Sequence, residues 1–120
     1  TTEIYTLSLH DALPILSFGA AKSISRRLAI VEDYEILILD LTAVPRLGVT
    51  ALLAIETMIK DALDKRREVF LVGAQGQVEH RLKRLELLQK LSPAHQVSER
   101  IIALERSMEI LRNYATPAEV

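Results

Sequence analysis

A buried strand that leads directly into a helix is the feature that most constrains the fold of this chain. Residues 36–39 form an unbroken apolar run, Ile-Leu-Ile-Leu, that ends at Asp40. Such a run is typical of a strand covered on both faces, as in a sheet with parallel character. After a turn, apolar residues recur at helical spacing; they are Leu52, Ile55, Ile59 and Leu63. The segment therefore predicts a strand, a tight turn and a helix from near Gly48 to Lys65.

The same alternation of strand and helix signals continues on both sides of this segment. A helical stripe begins near Phe18, a second apolar run at residues 69–72 predicts another buried strand, and Val97 lies in a predicted edge strand. Two further helices are predicted from apolar stripes, which are Val78, Leu82, Leu85 and Leu88 for the third helix and Ile101, Leu104, Met108 and Leu111, facing inward, for the last. Alternating elements of these lengths predict an α/β fold with helices packed against a sheet.

Three segments carry a resemblance to a known family: residues 17–21 (Ser-Phe-Gly-Ala-Ala), residues 40–51 around the turn, and residues 69–74 (Val-Phe-Leu-Val-Gly-Ala). Together they resemble the STAS domain, the module shared by bacterial anti-sigma-factor antagonists and the cytosolic C-terminal tails of SulP-type anion transporters. The resemblance covers residues 16–115 as one domain, with 116–120 as a tail. It implies a STAS-like α/β fold with a mixed central β-sheet of about four strands, flanked by about four α-helices.

The turn before the second helix separates the two branches of this family. In the family the turn usually reads Asp-Ser-Thr-Gly or Asp-Ser-Ser-Gly, whereas here Gly48, Val49, Thr50 and Ala51 hold the four positions. The first hydroxyl is the phosphate acceptor of the antagonists, and Val49 has no oxygen to phosphorylate. Residues 18–21 and 47–50 are more similar to the SulP branch, and most to its bicarbonate or sulfate carriers. The resemblance therefore implies a non-catalytic regulatory and interaction domain of a SulP-type transporter; the alternative is a free-standing anti-sigma-factor antagonist, phosphorylated at Thr50.

The candidate regulatory residues cluster at this turn. The start of a helix exposes unpaired amides, and among Leu47, Gly48, Val49 and Thr50 only the last has a side chain that could bond them. A partner's carboxylate could dock there, although Gly48 can also serve only as a permissive backbone position. Asp40 ends the preceding strand, where it either contributes to this face or bonds the amides of the turn.

A second candidate surface lies on the third helix, where Arg81, Lys83 and Arg84 are grouped. These cations fit either a solvated helix face or a basic surface. A basic surface could contact the acidic loops or anionic headgroups of a neighbouring membrane domain, because polybasic segments gain affinity near a bilayer.

Composition argues against several other functions. The 120 residues fit one domain, and the net charge of -1 with a pI near 6.3 argues against nucleic acid as a partner. The absence of cysteine removes disulfides and thiolate sites, and His80 and His95 lack further ligands at metal spacing. We therefore expect no enzyme activity, no cofactor and no metal.

The expected partner is the transmembrane domain of a parent transporter, with a homodimer as a further assembly. No apolar run approaches the roughly 20 residues of a membrane helix. We therefore expect the fragment itself to be soluble and to lie at the cytoplasmic face of the membrane as part of an integral membrane transporter.

The first fifteen residues are similar to translated sequencing-adapter read-through rather than to the start of a STAS domain. The family likeness begins abruptly at Leu16. The alternative is an ordinary first strand, since residues 4–9 are apolar and favour β structure. A foreign peptide could also occupy a vacant first-strand position, so we assign no function to this segment.

Overall fold

Four parallel strands form the centre of the computed structural model, which describes residues 4–9, 22, 23, 26, 28 and 34–115. The strands are β1 (Ile4–Ser8), β2 (Ile36–Asp40), β3 (Glu68–Val72) and β4 (Gln96–Val97), and they lie side by side in that order. Ile36 of β2 is in register with Ile4 on one side and Glu68 on the other. The carboxyl ends of all four strands therefore meet at one edge of the sheet, where sites in open α/β sheets collect.

Between residues 34 and 115, three α-helices flank this sheet: α1 (Val49–Asp64), α2 (Gly76–Leu82) and α3 (Arg100–Ala115). The predicted α/β class and the four-stranded sheet are confirmed. All three pairings among the described strands are parallel, whereas the sequence predicted a mixed sheet. The helical connections after β2 and β3 explain this, because a crossover helix returns the chain to the same end of the sheet.

Alternation along the strands divides the core into two layers. Leu37, Leu39, Val69 and Leu71 belong to the layer that also contains the buried side chains of α1 and α2. Ile36, Ile38, Phe70 and Val72 belong to the other layer, together with Ala103 of α3. Because helices cover both faces of β2 and β3, their sequences are apolar at nearly every position.

Helix α2, the third of the predicted helices, is shorter than its apolar stripe predicted. The chain leaves the α-helix after Leu82, passes through an extended Leu85 (φ -81, ψ 126) and forms a 3₁₀ helix at Glu86–Lys90. Val78, Leu82, Leu85 and Leu88 are nevertheless all buried. The apolar spacing correctly predicted which residues face the core. It did not predict the irregular turn between the two helices, because a spacing of about 3.6 residues per turn is nearly unchanged by one such turn.

Helix α3, the last of the predicted helices, packs on the sheet with a different side from the one predicted. Ile101 and Met108 were expected to face inward, yet they are 55% and 56% exposed. The sheet instead covers Ala103 and Ser107, which are fully buried. Leu104 and Leu111 lie at the margin of the contact and are partly buried. The prediction failed because small residues on a helix can approach a sheet closely, so the largest apolar side chains do not have to mark the buried face.

Residues 4–8 do form a strand, which pairs in parallel with β2. This does not bear on the prediction that residues 1–15 are foreign to the domain, because an apolar peptide of any origin can pair with a vacant sheet edge. Residues 17–21, which carry part of the resemblance, lie outside the described residues, as does the 116–120 tail. Of the first predicted helix, Lys22, Ser23, Arg26 and Leu28 are described and have helical backbone.

Candidate functional site

The turn that precedes α1 is held in place by a side chain from α2. The Gln77 amide nitrogen donates to the Leu47 carbonyl at 2.8 Å, and its Oε1 accepts from the Leu47 amide at 2.7 Å. This pair of bonds resembles the pairing of two strands and fixes the backbone immediately before the helix. Leu47 was predicted as a contact residue, but its side chain is 1% exposed and packs in the core. The side chain of Leu47 therefore anchors the turn to the core and is not available to a partner.

The first turn of α1 presents apolar side chains to solvent. Val49 is 55% exposed and Leu53, one turn further along, is 52% exposed, while Thr50 beside them is also exposed. We call Val49, Thr50 and Leu53 the α1 face. Val49 and Leu53 thus form a small exposed apolar surface at the start of α1.

The α1 face also lies at an uncapped helix end. Gly48 is the N-cap residue (φ -78, ψ 163), and none of the described side chains bonds the free amides of the first turn. The first turn contains no acidic residue. The positive end of the helix dipole is therefore not neutralised there, which favours a partner with an acidic or hydrogen-bond-accepting group next to an apolar one.

Asp40 lies in a different network, on the side of the sheet that faces α3. One carboxylate oxygen, Oδ1, accepts from the Thr42 amide at 2.9 Å. The other, Oδ2, accepts from Arg100 Nε at 2.9 Å and from Arg100 Nη2 at 2.8 Å. The guanidinium also donates to the hydroxyl of Ser8. The prediction that Asp40 bonds the following turn is confirmed, and the carboxylate in addition ties β2 to α3 and, through Arg100, to β1.

The pKa of Asp40 reflects this set of contacts. Burial of the carboxyl would raise its pKa, but the hydrogen bonds from Thr42 and the hydrogen bond and charge of Arg100 outweigh that effect. The pKa consequently lies below its ordinary value of 3.8. The sequence grouped Asp40 with the turn before α1; the carboxylate does bond Thr42 in that turn, but its other described side-chain partner is Arg100 on α3.

The basic group on α2 and the turn after it is partly neutralised. Lys83 is 3.6 Å from Glu79, and the Nη2 of Arg84 lies 3.5 Å from the Nε2 of His80. Lys83 and Arg84 are exposed and Arg81 is partly exposed. Since an exposed ion pair contributes little energy, Lys83 could still exchange Glu79 for an anionic surface.

Groups suited to metal binding do not gather within the described ranges. No three His, Asp or Glu side chains lie there where they could hold a metal ion. His80 is exposed, whereas His95 is partly buried, stacks on Phe70 with ring centroids 4.2 Å apart and bonds Glu68 at 3.1 Å. The ring of His95 therefore covers the edge of the core beside Phe70.

Sequence reasoning missed two residues that organise this part of the molecule. Gln77 is 30 residues from Leu47, and Arg100 is 60 residues from Asp40. Neither polar residue stands out in its own helix by spacing or charge. A single sequence offers no signal for contacts of this separation.

A family comparison identifies the module that this geometry belongs to. The model of the STAS domain matches residues 14–101, which include β2, β3, α1, α2 and the turn between Asp40 and Val49. The chain belongs to the STAS domain family. The resemblance seen in the sequence is thereby confirmed, and so is the family origin of the strand, turn and helix segment on which it rests.

Two curated relatives of this STAS domain are named bicarbonate transporters. The chain is 42% identical over 91 residues to the bicarbonate transporter BicA of Picosynechococcus sp. and 39% identical over 88 residues to BicA of Synechocystis sp.. These matches cover 76% and 73% of this chain but only 16% of each relative. The chain thus spans about one sixth of the length of the transporters it matches.

A solved structure supports the same fold. The STAS domain of a SulP transporter from Vibrio cholerae superposes with a TM-score of 0.76 at 22% identity, covering 92% of this chain and 84% of that one. Among the residues that the structure describes, no helix has the length and apolar content needed to cross a membrane.

Proposed function

We propose that this STAS domain is a non-catalytic regulatory and interaction domain of a SulP-type anion transporter, one that carries bicarbonate or sulfate. Its two curated relatives are named bicarbonate transporters and are about six times longer than the matched segment. In this proposal the rest of the transporter performs transport, and the STAS domain acts by contact at the cytoplasmic face of the membrane.

The α1 face is the observation that carries this proposal. Its exposed Val49 and Leu53 lie beside an uncapped helix end, on a turn that Gln77 holds through two hydrogen bonds. A rigid apolar surface with an open positive end is suited to a protein partner, because little conformational entropy is lost when such a surface binds. The partner in this proposal is the transmembrane domain of the same transporter, and a homodimer of STAS domains is compatible with the same role.

Replacing Val49 with Asp in the full-length transporter tests this role. The carboxylate would project from the α1 face and would have to be desolvated in any apolar contact, so we expect anion uptake or transporter assembly to change. The isolated chain should remain folded, because the position is 55% exposed and an acidic residue suits a helix N-terminus. Uptake assays and native mass measurements of the purified transporter read out the effect.

Lys60→Asp is the matched control, since it introduces the same side chain at an exposed position near the other end of α1. The control should transport and assemble like the parent. The proposal fails if Val49→Asp and Lys60→Asp both leave uptake and assembly unchanged.

The alternative of a free-standing anti-sigma-factor antagonist depends on Thr50. Its hydroxyl is in the exposed first turn of α1, next to the Val49 position where antagonists have their acceptor. The transporter relatives favour the first proposal over this one. A mass increase of one phosphate that requires Thr50, in the presence of an anti-sigma-factor kinase, would reverse that preference.

A further inference from the structure

A cleft of about 220 Å³ lies between α2 and the last strand of the sheet, on the same side of the sheet as α1. Buried leucines form its floor: Leu71 of β3, Leu82 of α2 and Leu88 of the 3₁₀ helix. Gln96 of β4 is in register with Leu71 and lines the same cleft. We call this the α2 cleft. It lies at the carboxyl ends of β3 and β4, the edge at which open α/β sheets bind their ligands.

The rim of the α2 cleft is rich in hydrogen-bond donors. Lys83, Gln96 and Ser98 lie on the rim and are exposed, and their ammonium, amide and hydroxyl groups can each donate. Glu79 is also on the rim, 3.6 Å from Lys83. Because such an exposed ion pair contributes little energy, Lys83 can exchange Glu79 for an anion in the cleft. Donors around an apolar floor suit a ligand with a carboxylate end and an aliphatic body.

The size of the α2 cleft restricts this ligand further. Sites for drug-sized molecules have volumes of about 300–1,000 Å³, and the α2 cleft is smaller than that range. The ligand that fits is therefore a carboxylate with a short aliphatic chain.

Helix α2, which forms one wall of the cleft, has few contacts that hold it in the fold. Of its seven residues only Val78 and Leu82 are buried. The helix begins at Gly76 (φ 59), where a Cβ would have nothing within 4 Å, so its start is not closely packed. An element with few buried apolar side chains opens locally at a lower free energy than the core does.

The same helix holds the turn before α1. Gln77 bonds both backbone groups of Leu47, and these bonds require α2 to be in place on the sheet. The α2 cleft also exists only while α2 is in place. A ligand in the cleft therefore binds the state in which the turn is held, and it stabilises that state by mass action.

We propose that the α2 cleft binds a small aliphatic carboxylate, and that the bound ligand stabilises the α1 face through Gln77. The regulatory meaning of this inference rests on the proposed function of the α1 face. Ligand binding and its effect on the turn are properties of the isolated domain, so they can be measured whether or not the α1 face contacts a transmembrane domain.

Isovalerate, a short branched carboxylate, is the probe for the isolated 120-residue chain. We expect it to shift the backbone NMR signals of Leu71, Gln96 and Ser98 with a Kd of about 1 mM. At about ten times the Kd it should slow amide exchange at residues 47–50 about tenfold, because the ligand opposes the opening of α2 by the factor 1 + [L]/Kd. Isovaleramide, the uncharged amide of the same shape, should bind about threefold or more weakly.

Two variants separate binding from its effect on the turn. Lys83→Gln should bind isovalerate as weakly as the parent binds isovaleramide, because it removes the charge at the rim. Gln77→Ala should bind isovalerate like the parent, but exchange at residues 47–50 should no longer respond to the ligand. Lys90→Gln is the control, since it removes an exposed charge of the 3₁₀ helix outside the α2 cleft and should behave like the parent.

The proposal is overturned if about 30 mM isovalerate, far above the expected Kd, shifts none of the cleft signals. It is also overturned if Lys83→Gln binds like the parent, if the bound ligand leaves exchange at residues 47–50 unchanged, or if Gln77→Ala still responds. Unchanged uptake and assembly in the Val49→Asp transporter would instead contradict the proposed function and would leave a positive result at the α2 cleft standing.

Discussion

At the scale of single residues, the ion pair between Asp40 and Arg100 connects β2 to α3 across 60 residues of sequence. The carboxylate is nearly buried at the end of β2, and the guanidinium reaches it from the first turn of α3. Such a pair adds little net stability compared with an apolar pair of equal shape, but removal of one partner leaves the other without compensation. Its main effect is therefore to fix where α3 begins relative to the sheet.

We predict that Asp40→Asn destabilises the domain by about 1–3 kcal/mol at neutral pH, because it removes a charged acceptor from Arg100. The folded pKa of Asp40 lies below its ordinary value of 3.8, so the ionised carboxylate stabilises the fold above that pH. This stabilisation is lost as the pH falls through 3.8 toward the folded pKa. The stability difference between the parent and Asp40→Asn should therefore shrink below about pH 4, as measured by urea unfolding at several pH values.

Asp64→Asn, at an exposed position in the last turn of α1, is the control for this experiment. Its effect should stay within about 0.5 kcal/mol. A difference between the parent and Asp40→Asn that did not depend on pH would contradict the assigned role of the carboxylate.

Two glycines allow steric and backbone effects to be separated. Gly73 (φ 70) and Gly76 (φ 59) both have left-handed backbone. A Cβ at Gly73 would lie 2.9 Å from the Cα of Thr42, whereas a Cβ at Gly76 would have nothing within 4 Å.

We predict that Gly76→Ala costs about 1 kcal/mol from its backbone conformation. Gly73→Ala should cost more, about 2–4 kcal/mol, because the turn after Asp40 must also move. Equal losses of stability in thermal unfolding of the two variants would argue against close packing of the turn after β2 on the turn after β3.

At the scale of elements, the position of α1 depends on its contact with α2. We predict that Gln77→Ala leaves most of the fold intact but exposes the backbone groups of Leu47, at a cost of about 1–3 kcal/mol. Amide hydrogen exchange at residues 47–50 should become faster than in the parent, because local opening no longer breaks the two bonds to Gln77.

Gln89→Ala is the matched control, since Gln89 is exposed in the 3₁₀ helix and the same truncation there should leave exchange at residues 47–50 unchanged. If Gln77→Ala also left that exchange unchanged, the turn would be held by its own packing.

The sequence predicted some elements well because length and pattern agreed. The apolar run at residues 36–39 has the length of a strand, and α1 has four apolar residues at helical spacing. It predicted α3 in the wrong rotation, because Ile101 and Met108 share an apolar pattern with Leu104 and Leu111. Which side of α3 packs on the sheet depends on the shape of the sheet surface, and the spacing of apolar residues carries no information about that shape.

At the scale of the whole molecule, α1 and α3 lie on opposite faces of one sheet. The α1 face belongs to the layer with Leu37 and Leu39, and α3 packs on the layer with Ile36 and Ile38. Helix α3 therefore leaves the α1 face accessible to a partner.

The candidate site was predictable only in part at this scale. The family turn at residues 48–51 located the start of α1, and the loss of the acceptor hydroxyl at Val49 separated contact from phosphorylation. The burial of Leu47, the clamp by Gln77 and the separation of Asp40 from the α1 face depend on contacts across 30 to 60 residues. Such contacts are determined by how the helices pack, which local sequence does not specify.

The central claim, that this domain acts through contact at the α1 face, is tested most directly by amide hydrogen exchange at residues 47–53. The measurement compares the isolated 120-residue chain with the same residues inside the full-length transporter. We expect slower exchange at these residues in the transporter, while the exposed turn at residues 65–66 exchanges equally in both. Equal exchange at residues 47–53 in the isolated chain and in the transporter would contradict the claim.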